Sequence, residues 1–422
     1  MFSLGGAVRV GRGLGLLGAL SVPLAVLAGA CSAAPSASPP STRPRTSVTS
    51  AGPTSTSAPA PGAIRHVFVI MLENEGYAAA FGDPSQDPYL ASTLVRHGVL
   101  LENYDAVGHA SLDNYLALIS GQPPNPDTQG DCVDGFVTFP SHDRPIIWHG
   151  ATGIQEGSGC VYPPSVQTLA NQLVDHGLTW KAYMQDMGND PARDGTTGGT
   201  CGHPSLNGPD RAIDAADGDG YATRHDPFVY FQSIIDQPAS CERHVVPLGS
   251  PSGAMPKSDT VGATGLVEDL RSVASTPNFS FISPNLCEDG HDYPCGNEPT
   301  PGSSALGDID GFLKTWVPLI TSSPAFKASG LLIITFDEGT SQAACCGEVP
   351  GPTNSAPGGN GGPGGGQVGA LLLSPFVKPG TVVTTPLNHY STLASLEDLF
   401  GLPRLGDAQT VTTTFDRLLA PR

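Results

Sequence analysis

Residues Val67 to Leu72 form an unbroken apolar run of strand length, rich in β-branched and aromatic side chains, and it stops abruptly at Glu73-Asn74. A strand apolar on both faces has to be covered on both, as in a parallel sheet flanked by helices. Gly330 to Phe336 repeats the design and runs straight into Asp337-Glu338-Gly339. Ligands of open α/β sheets bind just beyond the carboxyl ends of the strands. If both strands lie centrally in one sheet, Glu73, Asp337 and Glu338 meet at the same edge. Carboxylates that close repel strongly in a poorly solvated cleft unless a cation sits among them. Either stretch alone reads as a strand whose acidic end faces water; the pair reads as a site.

From Ala63 onward, strand runs alternate with helical patterns. Helices are predicted over Pro88–His97, Ser111–Ile119, from a cap at Ser165 to His176-Gly177, over Leu306–Ile320, and over Ser391–Phe400 with Ser391 as its cap. Further strands are predicted at Val99–Tyr104, Leu178–Met184, Phe279–Ile282 and Val368–Leu373. This alternation predicts an α/β fold, a mainly parallel central sheet with helices on both faces. Long loops join the elements at Gly121–Pro164, Met187–Ala222 and Thr340–Gln367. The glycine run Gly358–Gly366 lacks the Gly-Lys-Ser/Thr of a phosphate-cradling loop and reads as a mobile surface loop.

Residues 1–31 have the layout of an export signal. Arg9 and Arg12 precede an apolar centre, and a small-residue site ends at Cys31, as in a bacterial lipobox. Residues 32–62 are almost entirely Ser, Thr, Pro and Ala, a composition that buries no apolar face and reads as a disordered tether. Residues 63–422 form the folded domain. The formal net charge of −19 argues against a nucleic-acid or anionic-membrane binder, leaving a lipid anchor as the route to a membrane. An even set of cysteines after Cys31 suits disulfides in an exported chain. Cys132–Cys160 and Cys287–Cys295 are the expected neighbouring pairs. Adjacent Cys345-Cys346 either bridge each other or point to different partners.

Ser111 lies in His109-Ala110-Ser111-Leu112-Asp113-Asn114-Tyr115, where a helix should begin. Helix N-termini favour anions, so an oxygen there is placed to meet a phosphoryl group. Taken alone, the segment reads more simply as a helix with a serine cap. His291-Asp292 follows a strand, and His389 directly precedes a helix. Either histidine could donate a proton to a leaving oxygen or bind a phosphoryl oxygen. Singly, each reads as a surface or capping residue. The remaining histidines, His66 and His97 among them, read as structural.

Met71-Leu72-Glu73-Asn74, His109 through Gly121, Asn285 through His291-Asp292, Thr335-Phe336-Asp337-Glu338 and Asn388-His389-Tyr390 stand in the order seen in the bacterial phosphoesterase family. That family holds acid phosphatases and phospholipases C within the alkaline-phosphatase superfamily. The resemblance, strongest toward secreted actinobacterial acid phosphatases, spans Ala63 to about Gly406. It implies one divalent metal ion (Mg, Ca, Mn or Zn) on Glu73, Asn74, Ser111, Asp337 and Glu338. It further implies Ser111 as the nucleophile that becomes a phosphoserine, and His291 as a histidine facing the phosphate and acid for the leaving alcohol. His109, Asn114, Asp292 and His389 would line the substrate. Glu75 replaces a usually basic residue, Ala110 a usual proline, and Gly290 a usual methionine, departures that bear on substrate preference.

The expected function is an exported acid phosphatase acting on small phosphomonoesters, phosphoinositides included. A phospholipase C-type diesterase acting on a phospholipid head group is the alternative, and a catalytically dead surface-binding lipoprotein a further one. The Cys/Ser-x-Pro-x-Arg pattern of sulfatases is absent around Ser111.

Overall fold

A computed structural model describes residues 64–82, 85–141, 145–295, 304–348 and 362–419. They belong to a single unit, Ala58–Arg422. The expected leader, the tether and residues 358–361 of the glycine run lie outside the described residues.

The central sheet has eight strands: β1 His66–Leu72, β2 Val99–Leu101, β3 Trp180–Met184, β4 Val245–Pro247, β5 Phe279–Ser283, β6 Gly330–Phe336, β7 Ala370–Leu373 and β8 Thr381–Val383. Their spatial order is β8-β2-β7-β6-β1-β5-β3-β4. Only β7 runs against its neighbours β2 and β6; the other pairings are parallel. The predicted mainly parallel sheet is therefore the observed one, and every residue of β1 and β6 is buried. The short strands β4 and β8 were not expected. Both are three-residue elements at the sheet edges, too short to show a period.

Helices cover both faces, and the alternation of side chains shows how. Val69 of β1 is in register with Phe281 of β5. Phe281 packs against Tyr115 in α1, Ser111–Ser120. Phe68, one residue along and so on the opposite face, packs against Phe326. Phe326 lies in α4, Pro324–Ser329, which follows α3, Ala305–Ser322. Between α1 and α3 lies α2, Leu169–Asp175, and after α4 comes α5, His389–Phe400.

Two predicted caps are displaced. Thr168, not Ser165, caps α2, accepting from the Asn171 amide in a reciprocal capping box. Asn388, not Ser391, caps α5, and Ser391 is its partner in the box. In both, the cap is the last extended residue before the helical turn, whose side chain reaches the amide three residues on. The strand predicted over Val99–Tyr104 divides: Tyr104–Ala106 leaves the main sheet and pairs with residues 366–367 and 387–388. The loop Gly121–Pro164 carries a small hairpin, Ile147–His149 with Ile154–Glu156. Disulfides join Cys132–Cys160 and Cys287–Cys295 as expected, with Cys201–Cys241 and the vicinal pair Cys345–Cys346 besides.

Candidate active site

In the β1–β6 register Leu72 lies beside Phe336, so Glu73 and Asp337 leave the sheet side by side. The ladder continues past the strand ends: Asp337 N–H donates to Leu72 O at 2.8 Å, and Glu73 N–H donates to Asp289 O at 2.9 Å. Asn74 then turns into the left-handed region, φ 61°, which asparagine tolerates better than most residues. The turn aims its N–H at Asp337 Oδ1, 2.9 Å away. The Asn285–Asp292 loop closes over this corner, and Gly290 explains its own place there. With φ 105°, a Cβ at Gly290 would stand 3.1 Å from the Glu73 carbonyl and 2.7 Å from Ile309 Cδ1.

Ser111 is not a cap. The N-cap of α1 is Ala110, with φ −158° and no side-chain cap bond, and Ser111 is the first helical residue. Its hydroxyl donates instead to Glu73 Oε2 at 2.8 Å, while Tyr115 OH, one turn on, donates to Glu73 Oε1 at 2.5 Å. Residues four apart share a helix face, so one helix supplies both donors. Asn114 does the work a cap would do. Its Oδ1 accepts from the amides of Val107 and Gly108, and its Nδ2 donates to the carbonyls of Gly108 and Ala110. All its hydrogen-bonding capacity is spent on the turn that leads into Ser111.

His389 is likewise committed. It is fully buried, with Nε2 2.8 Å from the Asp337 carbonyl and Nδ1 3.1 Å from Tyr104 OH. A carbonyl only accepts, so Nε2 carries the proton and Nδ1 receives the tyrosine's. Burial holds its pKa down to about 4. It braces the Asp337 peptide and has no free nitrogen for a substrate. His291 donates from Nδ1 to Asp292 Oδ1 at 2.7 Å, and its Nε2 takes a bond from Arg224 at 3.0 Å. His109 Nδ1 and Glu338 Oε2 lie 3.1 Å apart without the alignment of a hydrogen bond.

Two residues that the sequence pattern does not single out stand inside the cluster. His225 stacks on Tyr115, ring centroids 5.3 Å apart. Its Nδ1 is 3.0 Å from Asp289 Oδ2, and its Nε2, without a hydrogen bond, is 3.4 Å from Glu73 Oε1. Arg224 precedes it in a single 3-10 turn, Thr223–His225. The sequence signal is slight: a basic pair directly before Asp226-Pro227, whose aspartate side chain caps the next turn.

The electrostatics follow from burial. Glu73, Asp337 and Asp289 are wholly buried. Burial first, then the charges of Asp337 and Asp289, holds the Glu73 carboxyl well above its usual range. Burial also raises Asp337 and Asp289, and with the charges of Asp337, Asp131 and Asp113 it pushes Glu338 up to about 10. Asp337 Oδ2 and Glu338 Oε2 are buried without a hydrogen-bond partner. Ligand atoms of Glu73, His225 and Asp289 lie within 4.8 Å of one another. Clustered carboxylates with orphaned oxygens are what a divalent cation satisfies, and the oxygen-rich donor set suits a hard ion.

The fold and site define an α/β chain with a serine and a carboxylate cluster at the carboxyl edge of its sheet. Residues 84–403 match the Phosphoesterase family, and the chain belongs to it. It is 27% identical over 343 residues to a phosphate-repressible acid phosphatase of Penicillium chrysogenum, covering 80% of this chain and 59% of that one. It is 24% identical over 351 residues to a probable acid phosphatase of Kluyveromyces lactis, covering 82% of this chain and 60% of that one. A phosphatidylinositol-3-phosphatase of Mycobacterium tuberculosis is 25% identical over 346 residues, covering 81% of this chain and 79% of that one. The chain thus spans about three fifths of the length of the two fungal relatives. A Vibrio parahaemolyticus protein of the alkaline phosphatase superfamily superposes with a TM-score of 0.45 at 15% identity, covering 85% of this chain and 72% of that structure.

Proposed function

We propose that this chain is an exported, metal-dependent acid phosphatase that hydrolyses phosphomonoesters through a phosphoserine on Ser111. The observation that carries this is the pairing of Ser111 with Glu73: a hydroxyl at the start of a helix, aimed into a buried carboxylate cluster. A divalent ion would be held by Glu73, Asp337 and Glu338, with Asn74 and Ser111 at its border. Such an ion, when bound, supplies positive charge that makes the serine oxygen more acidic and draws charge from the phosphoryl group.

The remaining chemistry belongs to side chains already placed. The Ser111 hydroxyl points its proton at Glu73 Oε2, the direction in which it would leave as the oxygen attacks phosphorus in line. Tyr115 holds Glu73 from its other side, with His225 Nε2 3.4 Å from the same oxygen. Asn114 fixes the turn before Ser111, and His389 fixes the Asp337 peptide, so nucleophile and carboxylates are preorganised. Phosphatidylinositol phosphates enter as substrate candidates through the mycobacterial relative's name alone.

Export is supported by the disulfides and by the signal-like leader. Among the described residues no helix is long and apolar enough to cross a membrane. Activity on p-nitrophenyl phosphate against its bis ester, with and without a chelator, tests the reading. A chelator-sensitive preference for the monoester is expected. Turnover of the bis ester alone would make the chain a diesterase, and turnover of neither would leave a binding protein.

A further inference from the structure

We propose that Arg224 binds the non-bridging oxygens of the substrate phosphoryl group, exchanging His291 for them; this rests on the phosphatase reading of the site. Arg224 is 4% exposed and comes from the same short turn that brings His225 to Glu73. One guanidinium nitrogen donates to the Ile213 carbonyl at 2.5 Å, which fixes the reach of the side chain. The other donates to His291 Nε2 at 3.0 Å.

That second contact is an undersized partner for a buried guanidinium, which ordinarily pairs with an anion. Anions are near: the Arg224 charge is felt by Asp131, Asp289 and Asp292. Among the described residues none of them forms an ion pair with it. Each is committed elsewhere. Asp131 Oδ1 accepts from Leu112 N–H at 2.9 Å, in the first turn of α1 beside Ser111. Asp289 takes His225, and Asp292 takes His291. The buried guanidinium thus has no carboxylate in direct ion pair among the described residues, and it sits on the turn whose His225 stacks on Tyr115 of α1, one turn from Ser111. Its planar donors fit phosphoryl oxygens in pairs, as a lysine's would not.

The state of His291 completes the picture. Its Nδ1–H is given to Asp292, so Nε2 is a bare lone pair, now covered by Arg224. While that contact lasts, Nε2 accepts from Arg224. A phosphoryl group that draws Arg224 away uncovers Nε2 at the moment the substrate arrives.

Inorganic phosphate is the probe. Calorimetric titration into the full-length wild type, Arg224→Gln and Arg224→Lys, with the same divalent cation added to each, reads binding without turnover. Loss of the charged fork should weaken phosphate roughly a hundredfold in Arg224→Gln, and loss of its shape roughly tenfold in Arg224→Lys. A merely structural arginine would lower the melting temperature of both variants and leave phosphate affinity as in the wild type, which would overturn the proposal. Should Arg224→Gln not fold, unchanged affinity in Arg224→Lys decides the same way. A wild type that binds phosphate yet hydrolyses neither test ester would sink the phosphatase reading alone, since the titration still reports on Arg224.

Discussion

The Ser111 hydroxyl donates to Glu73 Oε2 across 2.8 Å, joining the first turn of α1 to the carboxyl end of β1. The bond separates two roles that the sequence left superposed. A capping serine would have accepted from an amide two or three residues on; this one gives its proton to a buried carboxylate.

Ser111→Ala should lose one buried hydrogen bond but keep the fold. No cap is lost, because Ala110 holds that position, and one hydrogen bond to a carboxylate is worth about 1–3 kcal/mol. Turnover should fall at least roughly a thousandfold. Thermal melting and initial rates on p-nitrophenyl phosphate check the two together; a variant with near wild-type rates contradicts the role.

Asp337→Asn should lose divalent-ion binding while keeping the fold. Asn Oδ1 can still accept from the Asn74 amide, but the orphaned Oδ2 becomes an amide nitrogen that no cation accepts. Elemental analysis after gel filtration measures it. Equal metal content in variant and wild type would remove Asp337 from the ligand set.

The fold was legible because β1 and β6 are apolar on both faces, and only a covered parallel sheet accepts such strands. The meeting of Glu73 with Asp337 followed from the same runs. What stayed hidden is how each side chain spends its lone pairs. Asn114 and His389 sit where a substrate residue would, yet their polar atoms are consumed by backbone and Tyr104. Arg224 and His225 sit in one turn of a long aperiodic stretch, where no hydrophobic period reports direction.

Glu397 offers a stability test away from the site. It is fully buried in α5; Oε1 accepts from the Leu405 amide, while Oε2 and the nearby Gln172 Oε1 lack partners. Burial pushes its pKa from 4.5 up to about 9. The folded protein thus keeps a proton that the unfolded chain releases, and stability drains as pH rises from about 4.5 to about 9. Glu397→Gln, which cannot ionise, should raise the melting temperature near pH 8 more than near pH 5. An equal shift at both would contradict the raised pKa.

Cys31→Ser tests the anchor. If Cys31 is lipidated after cleavage, the substitution should release the protein into the medium, because a diacyl cysteine holds to a membrane where an unmodified chain does not. Fractionation of cells expressing each form checks it, and unchanged membrane retention would exclude lipidation.

Acid quench of the protein during turnover of a phosphomonoester, followed by mass spectrometry of its peptides, reaches the central claim most directly. A phosphorylated peptide containing Ser111, absent from Ser111→Ala, is the predicted result. Full turnover with no phosphate on Ser111, under conditions where release of phosphate limits the rate, would contradict it.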